Sequence, residues 1–312
     1  MSYQIWVVFT VHVTFVFYGL QDRVMIIDFR IRPPFGEFLS MGPFDVRSSG
    51  FDPEYPGQMY GYIPPRSVQT RDISVFMDEM DAAGIDYAVV SGRASTSSST
   101  FSKGYVSPEV VYELVNRYRG RLFGVAALDA LDPAAPKIAE RSVRELGMRG
   151  ISIEPGWCSE PCYCDDPRLD PVYETAESLG VFVMITMSYL LGPDLSYSDP
   201  LRLEHVVSRY RNTPFLIPHA CWPHFISMAA VSFKYPNLYW VPDFFFYLPF
   251  MPSVDVMPAF NTALKKQVLF ASSYPVRGLE EAVRRWKEKA WEPEALELSL
   301  SGNAARLLHL KP

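Results

Sequence analysis

From Met25 onward, short apolar runs alternate with segments of helical spacing, and this alternation leaves the chain few folds to choose from. The runs are Val24–Ile31, Tyr87–Ser91, Leu122–Leu128, Gly150–Ile153, Val181–Thr186, Phe215–His219, Leu238–Val241 and Val268–Ala271. They are nearly continuous in hydrophobicity rather than alternating, as parallel strands buried on both faces must be. Between them, Ile73–Ala83, Pro108–Tyr118, Ala134–Leu146, Pro171–Leu179, Pro200–Arg211 and Glu280–Lys287 space their apolar residues for a helix face. Pro108, Pro171 and Pro200 each follow a serine or aspartate, the pattern of a capped helix with proline in its first turn. Gly84, Gly147 and Gly180 stand where a helix ends. Eight such repeats over residues 25–312 predict an α/β fold, a (β/α)8 TIM barrel with a long first loop (Pro33–Arg71) and a C-terminal helical cap. A doubly wound open sheet is the alternative, but no GxGxxG or P-loop follows the first strand.

Residues 1–24 stand apart as an apolar N-terminal extension. Ile5–Leu20 has no preceding lysine or arginine and no small-residue cleavage site, which argues against a secretory signal. It is also short for a membrane span of about 20 residues. We read Met25 as the true start, with a membrane-surface segment as the alternative, and give His12 no role. The 29 lysines and arginines against 35 acidic residues give a net charge of −6 with no basic block, which argues against nucleic-acid binding as the main function. Four cysteines in a chain of 312 residues do not suggest a disulfide framework, so the cytoplasm is expected.

In a TIM barrel the chemistry sits at the C-terminal ends of the strands. Read there, the chain offers Asp28, Arg30 and Arg32 on strand one, Glu154 on strand four, His219 on strand six, Asp243 on strand seven, and Ser272 and Ser273 on strand eight. A buried ion pair would account for any one of these residues. Five of them, Arg30, Arg32, Glu154, His219 and Asp243, would converge on one mouth, which points to an active site.

Several of these segments carry a resemblance. MIIDFRIRPP, EMDAAGIDYAVVSG, KYPNLYWVPDF, LFASSYP and SGNAARLL, in that order from Met25 to Leu310, resemble the amidohydrolase 2 group of metal-dependent barrel enzymes. The resemblance implies a hydrolase or a non-oxidative decarboxylase. Members usually carry an HxH pair on strand one, a histidine ending strand five and an aspartate in a GSDYP motif on strand eight. Here those positions hold Arg30 and Arg32, Thr186 and Ser273, and only the strand-six histidine is kept, as His219. A guanidinium stays protonated and has no lone pair to donate, so the usual metal site is not expected.

Three readings follow for this mouth. A relocated divalent metal, zinc first and manganese or iron after it, could sit on Glu154, His219 and Asp243 and activate a water. Without a metal, His219 or Asp243 could act as general base or acid. In a third reading the barrel binds a ligand without catalysis. In each, Arg30, Arg32 and Arg93 would grip a small carboxylate-bearing compound. Hydrolysis is the first expectation and decarboxylation of an aromatic or unsaturated acid the second.

Further expectations are less central. Cys158, Cys162, Cys164 and Cys221 share the mouth, but CxxxCxC matches no common zinc pattern and reads as buried thiols. Ser91–Gly104 reads as a lid or a solvated loop, and Asp165 and Asp166 as helix caps. His205 and His309 read as surface or packing residues. Trp157, Tyr189, Trp222 and Phe244–Tyr247 could wall the pocket or form a homodimer interface.

Overall fold

The structure, a computed structural model, describes residues 24–41, 44, 64–95, 104–249 and 254–310. The N-terminal extension through residue 23 and the serine-rich segment 96–103 lie outside the described residues. The strands are β1 (Ile27–Ile31), β2 (Tyr87–Ser91), β3 (Arg93–Ser95), β4 (Gly104–Val106), β5 (Leu122–Leu128), β6 (Gly150–Ile153), β7 (Phe182–Ile185), β8 (Phe215–Pro218) and β9 (Leu238–Val241). Seven of them form one parallel sheet in the order β1-β2-β5-β6-β7-β8-β9.

The eighth expected strand, Val268–Ala271, is not a regular strand but still completes the ring. On one side Trp240 N–H donates to Gln267 O at 2.7 Å and Leu269 N–H to Trp240 O at 2.9 Å. On the other, Phe29 N–H reaches Phe270 O at 2.9 Å and Arg32 N–H reaches Tyr274 O at 3.0 Å. This stave therefore joins β9 to β1, and the backbone groups of both neighbours are satisfied as burial requires.

Ile27, Phe29, Val89, Val125, Phe182, Met184, Leu216, Val241 and Leu269 fill the barrel interior. The opposite faces of the same strands, such as Val90, Ile151 and Ile217, pack under the helices. Each side chain fully buried this way contributes roughly 1.5–3 kcal/mol.

The helices are α1 (Arg66–Thr70), α2 (Ile73–Ala82), α3 (Pro108–Arg117), α4 (Ala135–Arg144), α5 (Asp170–Leu179), α6 (Pro200–Arg209), α7 (Phe225–Lys234), α8 (Phe244–Tyr247), α9 (Met257–Asn261), α10 (Leu279–Lys287), α11 (Pro293–Glu297) and α12 (Asn303–Leu308). Ser107 caps α3 and Asp199 caps α6, each with proline in the first turn, as expected. Asp170 differs: it lies within α5 and pairs with Arg209 at 2.8 Å, an ion pair across to the next helix. α7 has no counterpart in the sequence reading. Its segment FISMAAVSFK leaves Ile226 and Phe233 exposed, which blurs the polar face that marks a surface helix. At the far end of the barrel from the strand C-termini, Ala304 and Leu308 of α12 join the interior cluster, so the expected C-terminal cap plugs the bottom.

Among the described residues, no helix is long and apolar enough to cross a membrane.

Candidate active site at the barrel mouth

β1 delivers both arginines because its pairing register with β2 shifts between Asp28 and Ile31. Ile27 and Phe29 fill the interior, while beyond the shift Ile31 turns to the helices. Arg30 and Arg32 therefore line the mouth. The Asp28 carboxylate accepts from Arg30 N–H at 3.1 Å and from Ser272 N–H at 3.0 Å, tying β1 to the closing stave. Burial pushes its pKa up to about 7 against the pull of those bonds.

The mouth divides into two clusters. In the first, Glu154, just past β6, sits between two guanidiniums. Arg32 Nη2 donates to its Oε1 at 3.0 Å, and Arg93 Nε lies 3.3 Å from its Oε2. Arg32 also donates to the carbonyls of Ser91 and Gly92, both at 3.3 Å, and the Arg93 guanidinium lies over the Trp157 ring at 4.8 Å. Burial works against ionisation of Glu154, but the charges of Arg93, Arg32 and Arg30 overcome it and hold its pKa down at about 2. Burial, with Arg32 close by, lowers the Arg93 pKa to about 9. Arg93 stands on β3, which pairs antiparallel with β4, so two short strands flank the serine-rich residues 96–103, which lie outside the described residues.

The second cluster joins β1, β8, β9 and the closing stave. Arg30 Nη1 lies 3.2 Å from His219 Nε2, donates to Ser273 Oγ at 2.7 Å, and lies 3.6 Å from Asp243 Oδ2. His219 Nδ1 is 2.8 Å from the same Asp243 oxygen, and Ser273 Oγ donates to it at 3.2 Å. Arginine can only donate, so Nε2 of His219 accepts and Nδ1 carries the proton that faces Asp243. Burial lowers the His219 pKa, the Arg30 charge adds to that, and Asp243 opposes it; the imidazole is therefore neutral at pH 7. Burial, with Arg32 adding to it, brings Arg30 down to about 10, still a cation at neutral pH.

Backbone strain is concentrated at the same place. His219, Ala220, Cys221, Asp243 and Ser273 all have positive φ, at 68°, 47°, 58°, 44° and 60°. A residue so placed costs on the order of 1–3 kcal/mol and persists where the surroundings over-determine it, most often at working sites. No feature of the sequence reading anticipated this strain, because none of these residues is a glycine.

Between the clusters lies a small cavity of about 30 Å3, the space of a bound water or two. Arg30, Arg32 and Arg93 line it, together with Thr186, His219 and Ser273. Trp157, Leu190, Leu191 and Phe244 give it an apolar wall. Gly156 and Gly192 let the loops bearing Trp157 and Leu191 meet: a Cβ on Gly156 would lie 2.6 Å from Gly192 N. Among the described residues, the cavity wall carries three cations and no carboxylate, because Glu154 and Asp243 stand behind the arginines.

The other expectations resolve as follows. Trp222 stacks on Phe245 behind His219 and Tyr189 meets both rings edge-on, whereas Phe246 packs edge-on against Trp286 and Trp291, away from the cavity. All four cysteines are buried and free. Asp166 caps the turn at Pro167–Leu169, but Asp165 instead pairs with Arg202 and with exposed His205. His309 ends α12 in the left-handed conformation.

A relocated metal on Glu154, His219 and Asp243 would need the three side chains to meet at one point. The Glu154 oxygens face Arg32 and Arg93, and His219 Nε2 faces Arg30, so the three side chains do not share a point. Among the described residues, no three histidine, cysteine, aspartate or glutamate side chains gather in a way that could hold a metal ion. The donors present do not fit the zinc, manganese or iron expected there.

Comparison with known proteins gives the family. A family model described as amidohydrolase matches residues 12–310. No curated protein matches the chain. Among solved structures, an uncharacterized TIM-barrel protein of Bordetella bronchiseptica is 31% identical with a TM-score of 0.80, covering 92% of this chain and 99% of that one. 5-Carboxyvanillate decarboxylase of Sphingomonas paucimobilis is 15% identical with a TM-score of 0.64, covering 92% and 100%. A dihydroxybenzoic acid decarboxylase of a Polaromonas species, with bound manganese and the inhibitor 2-nitroresorcinol, is 17% identical with a TM-score of 0.59, covering 92% and 97%. The match over nearly its whole length and the closed barrel with its mouth at the strand ends make this chain a member of the amidohydrolase family.

Proposed function

We propose that the chain is a hydrolase that works without a metal on a small carboxylate-bearing compound. The observation that carries this reading is the cavity wall: three guanidiniums face it beside a neutral histidine. Arg32 and Arg93 hold the substrate carboxylate, for which planar guanidinium forks are suited. Arg30 turns from His219 to the substrate carbonyl oxygen and frees the Nε2 lone pair. That nitrogen takes a proton from water as the water oxygen bonds to the carbonyl carbon. Asp243, 2.8 Å from Nδ1, stabilises the imidazolium that forms. Arg30 stabilises the oxyanion in a dry site, where fixed charge acts most strongly. Collapse breaks the bond to the leaving group, which receives the proton from Nε2.

A second reading, non-oxidative decarboxylation, is favoured by the two decarboxylases of the same fold and by the cationic wall. There the electrons of the C–CO2 bond pass to the substrate carbon as CO2 leaves, and that carbon takes a proton that His219 Nε2 has first drawn from solvent, so one proton is consumed per turnover.

Turnover of carboxylate-bearing esters and lactones, and of carboxyl-labelled hydroxybenzoates and unsaturated diacids, in 18O-water tests both. Hydrolysis puts 18O into the released acid, and His219→Ala should lower the rate by ~100- to 10,000-fold. Labelled CO2 with no 18O in the product selects the second reading. No turnover of either substrate set, or full activity in His219→Ala, would reject both.

A further inference from the structure

A divalent cation needs several lone pairs aimed at one point. At this mouth, β8, β9 and the closing stave bring three acceptors together: His219 Nε2, Asp243 Oδ2 and Ser273 Oγ. The point they share is already taken. Arg30 Nη1 lies 3.2 Å from the histidine nitrogen, 2.7 Å from the serine oxygen and 3.6 Å from the aspartate oxygen. One guanidinium nitrogen carries two hydrogens. They match the two short contacts, and the aspartate supplies charge compensation at slightly longer range.

We propose that the Arg30 guanidinium is the resident cation of this barrel mouth, tethered to β1 and standing where a metal ion would otherwise be gathered. Three features support the assignment. All three acceptors are buried with Arg30, so no bulk water competes for them. All three residues that supply them, His219, Asp243 and Ser273, are held at positive φ, a strained backbone where these groups meet. Arg32, just past β1, also lines the cavity, adding positive charge where a divalent cation would have to enter. The charge that polarises a substrate is thus supplied by the sequence and needs no metal from solution.

The proposal does not depend on which bond the enzyme breaks, and its test reads metal uptake and thermal stability rather than turnover. The whole chain is titrated with MnCl2, followed by the signal of the free ion, and with ZnCl2, followed by metal content after desalting. Neither metal should bind at the mouth. Arg30→Ala should melt at a lower temperature than the parent and regain part of the loss with millimolar methylguanidinium, but not with NaCl at equal ionic strength. Arg30→Lys, which keeps a cation, should fall between the two in melting temperature. One manganese or zinc per chain in the parent, lost in His219→Ala, would overturn the proposal. So would an Arg30→Ala protein that responds identically to methylguanidinium and NaCl. If Arg30→Ala does not fold, the parent titration and the Arg30→Lys melting temperature still decide the question.

Discussion

Arg30, on β1, and Arg32, just past its end, line one cavity, yet their surroundings differ. Arg32 is locked: Glu154 and two backbone carbonyls take its hydrogens, and Arg93 closes the other side of the same carboxylate. Arg30 is shared among a neutral imidazole, a hydroxyl and, at 3.6 Å, a carboxylate, and each of these bonds can be exchanged for a bond to a substrate anion. The first cluster reads as a rigid cationic wall that presents Arg32 and Arg93 to a substrate carboxylate, and the second as the group that does the chemistry. The lesson is that a firmly compensated charge can hold a substrate in place, whereas one whose compensation is incomplete and movable can also take part in the reaction.

The comparison breaks most readily at Glu154. Glu154→Gln leaves Arg32 and Arg93 buried against a neutral amide and should cost about 3–5 kcal/mol in urea unfolding. A loss under ~1 kcal/mol, the usual worth of an exposed pair, would show that this cluster is not structural. The carboxylate contributes stability that is present above its unfolded pKa near 4.5 and is lost as pH falls through about 2, so the gap between parent and variant should close toward pH 2.

Asp28 has the opposite sign. Its folded pKa, about 7, lies above the unfolded value of 3.8, so its contribution is full below pH 3.8 and is lost as pH rises to 7. Asp28→Asn keeps the acceptor for the two backbone N–H groups and removes that dependence. Relative to the variant, the parent should lose on the order of a few kcal/mol between pH 4 and pH 7. Parallel stability curves would place the Asp28 proton elsewhere.

A smaller effect sharpens the working cluster. If His219 is the base, kcat/KM falls on the acid side with an apparent pKa below the ordinary ~6.5 of histidine. Asp243→Asn removes the carboxylate that favours the imidazolium and should move that limb further toward acid. A limb that does not move would separate Asp243 from the proton transfer.

The smallest effect tests the strain. Ala220, at φ 47° and ψ 43°, pays no polar contact for its conformation, and glycine adopts it freely. Ala220→Gly should leave thermal stability equal or raise it by up to about 1 kcal/mol. Clear destabilisation would mean that the turn after β8 is unstrained.

Much of this was legible in the chain. Parallel strands buried on both faces must be apolar throughout, so Tyr87–Ser91, Leu122–Leu128, Gly150–Ile153 and Leu238–Val241 were placed to the residue. Barrel topology alone places Arg30, Arg32, Glu154, His219 and Asp243 at one mouth. Helix α7 escaped because its outward face carries Ile226 and Phe233 in place of polar residues. The cap by Asp170 failed because a carboxylate beside a helix start can serve a neighbouring helix equally well.

Periodicity determined the barrel, and the order of five short motifs carried the family resemblance, which in turn implied the loss of the usual metal ligands, because these depend on residue type and order along the chain. Only the tertiary structure decided which carboxylate meets which arginine. Glu154 and Asp243 looked alike as strand-end acids, but distances across the ring assign one to Arg32 and Arg93 and the other to His219 and Arg30. Such pairing depends on how far a register shift in β1 turns two side chains and on how a strained backbone aims the acceptors. Those are properties of the closed ring, and no single strand carries them.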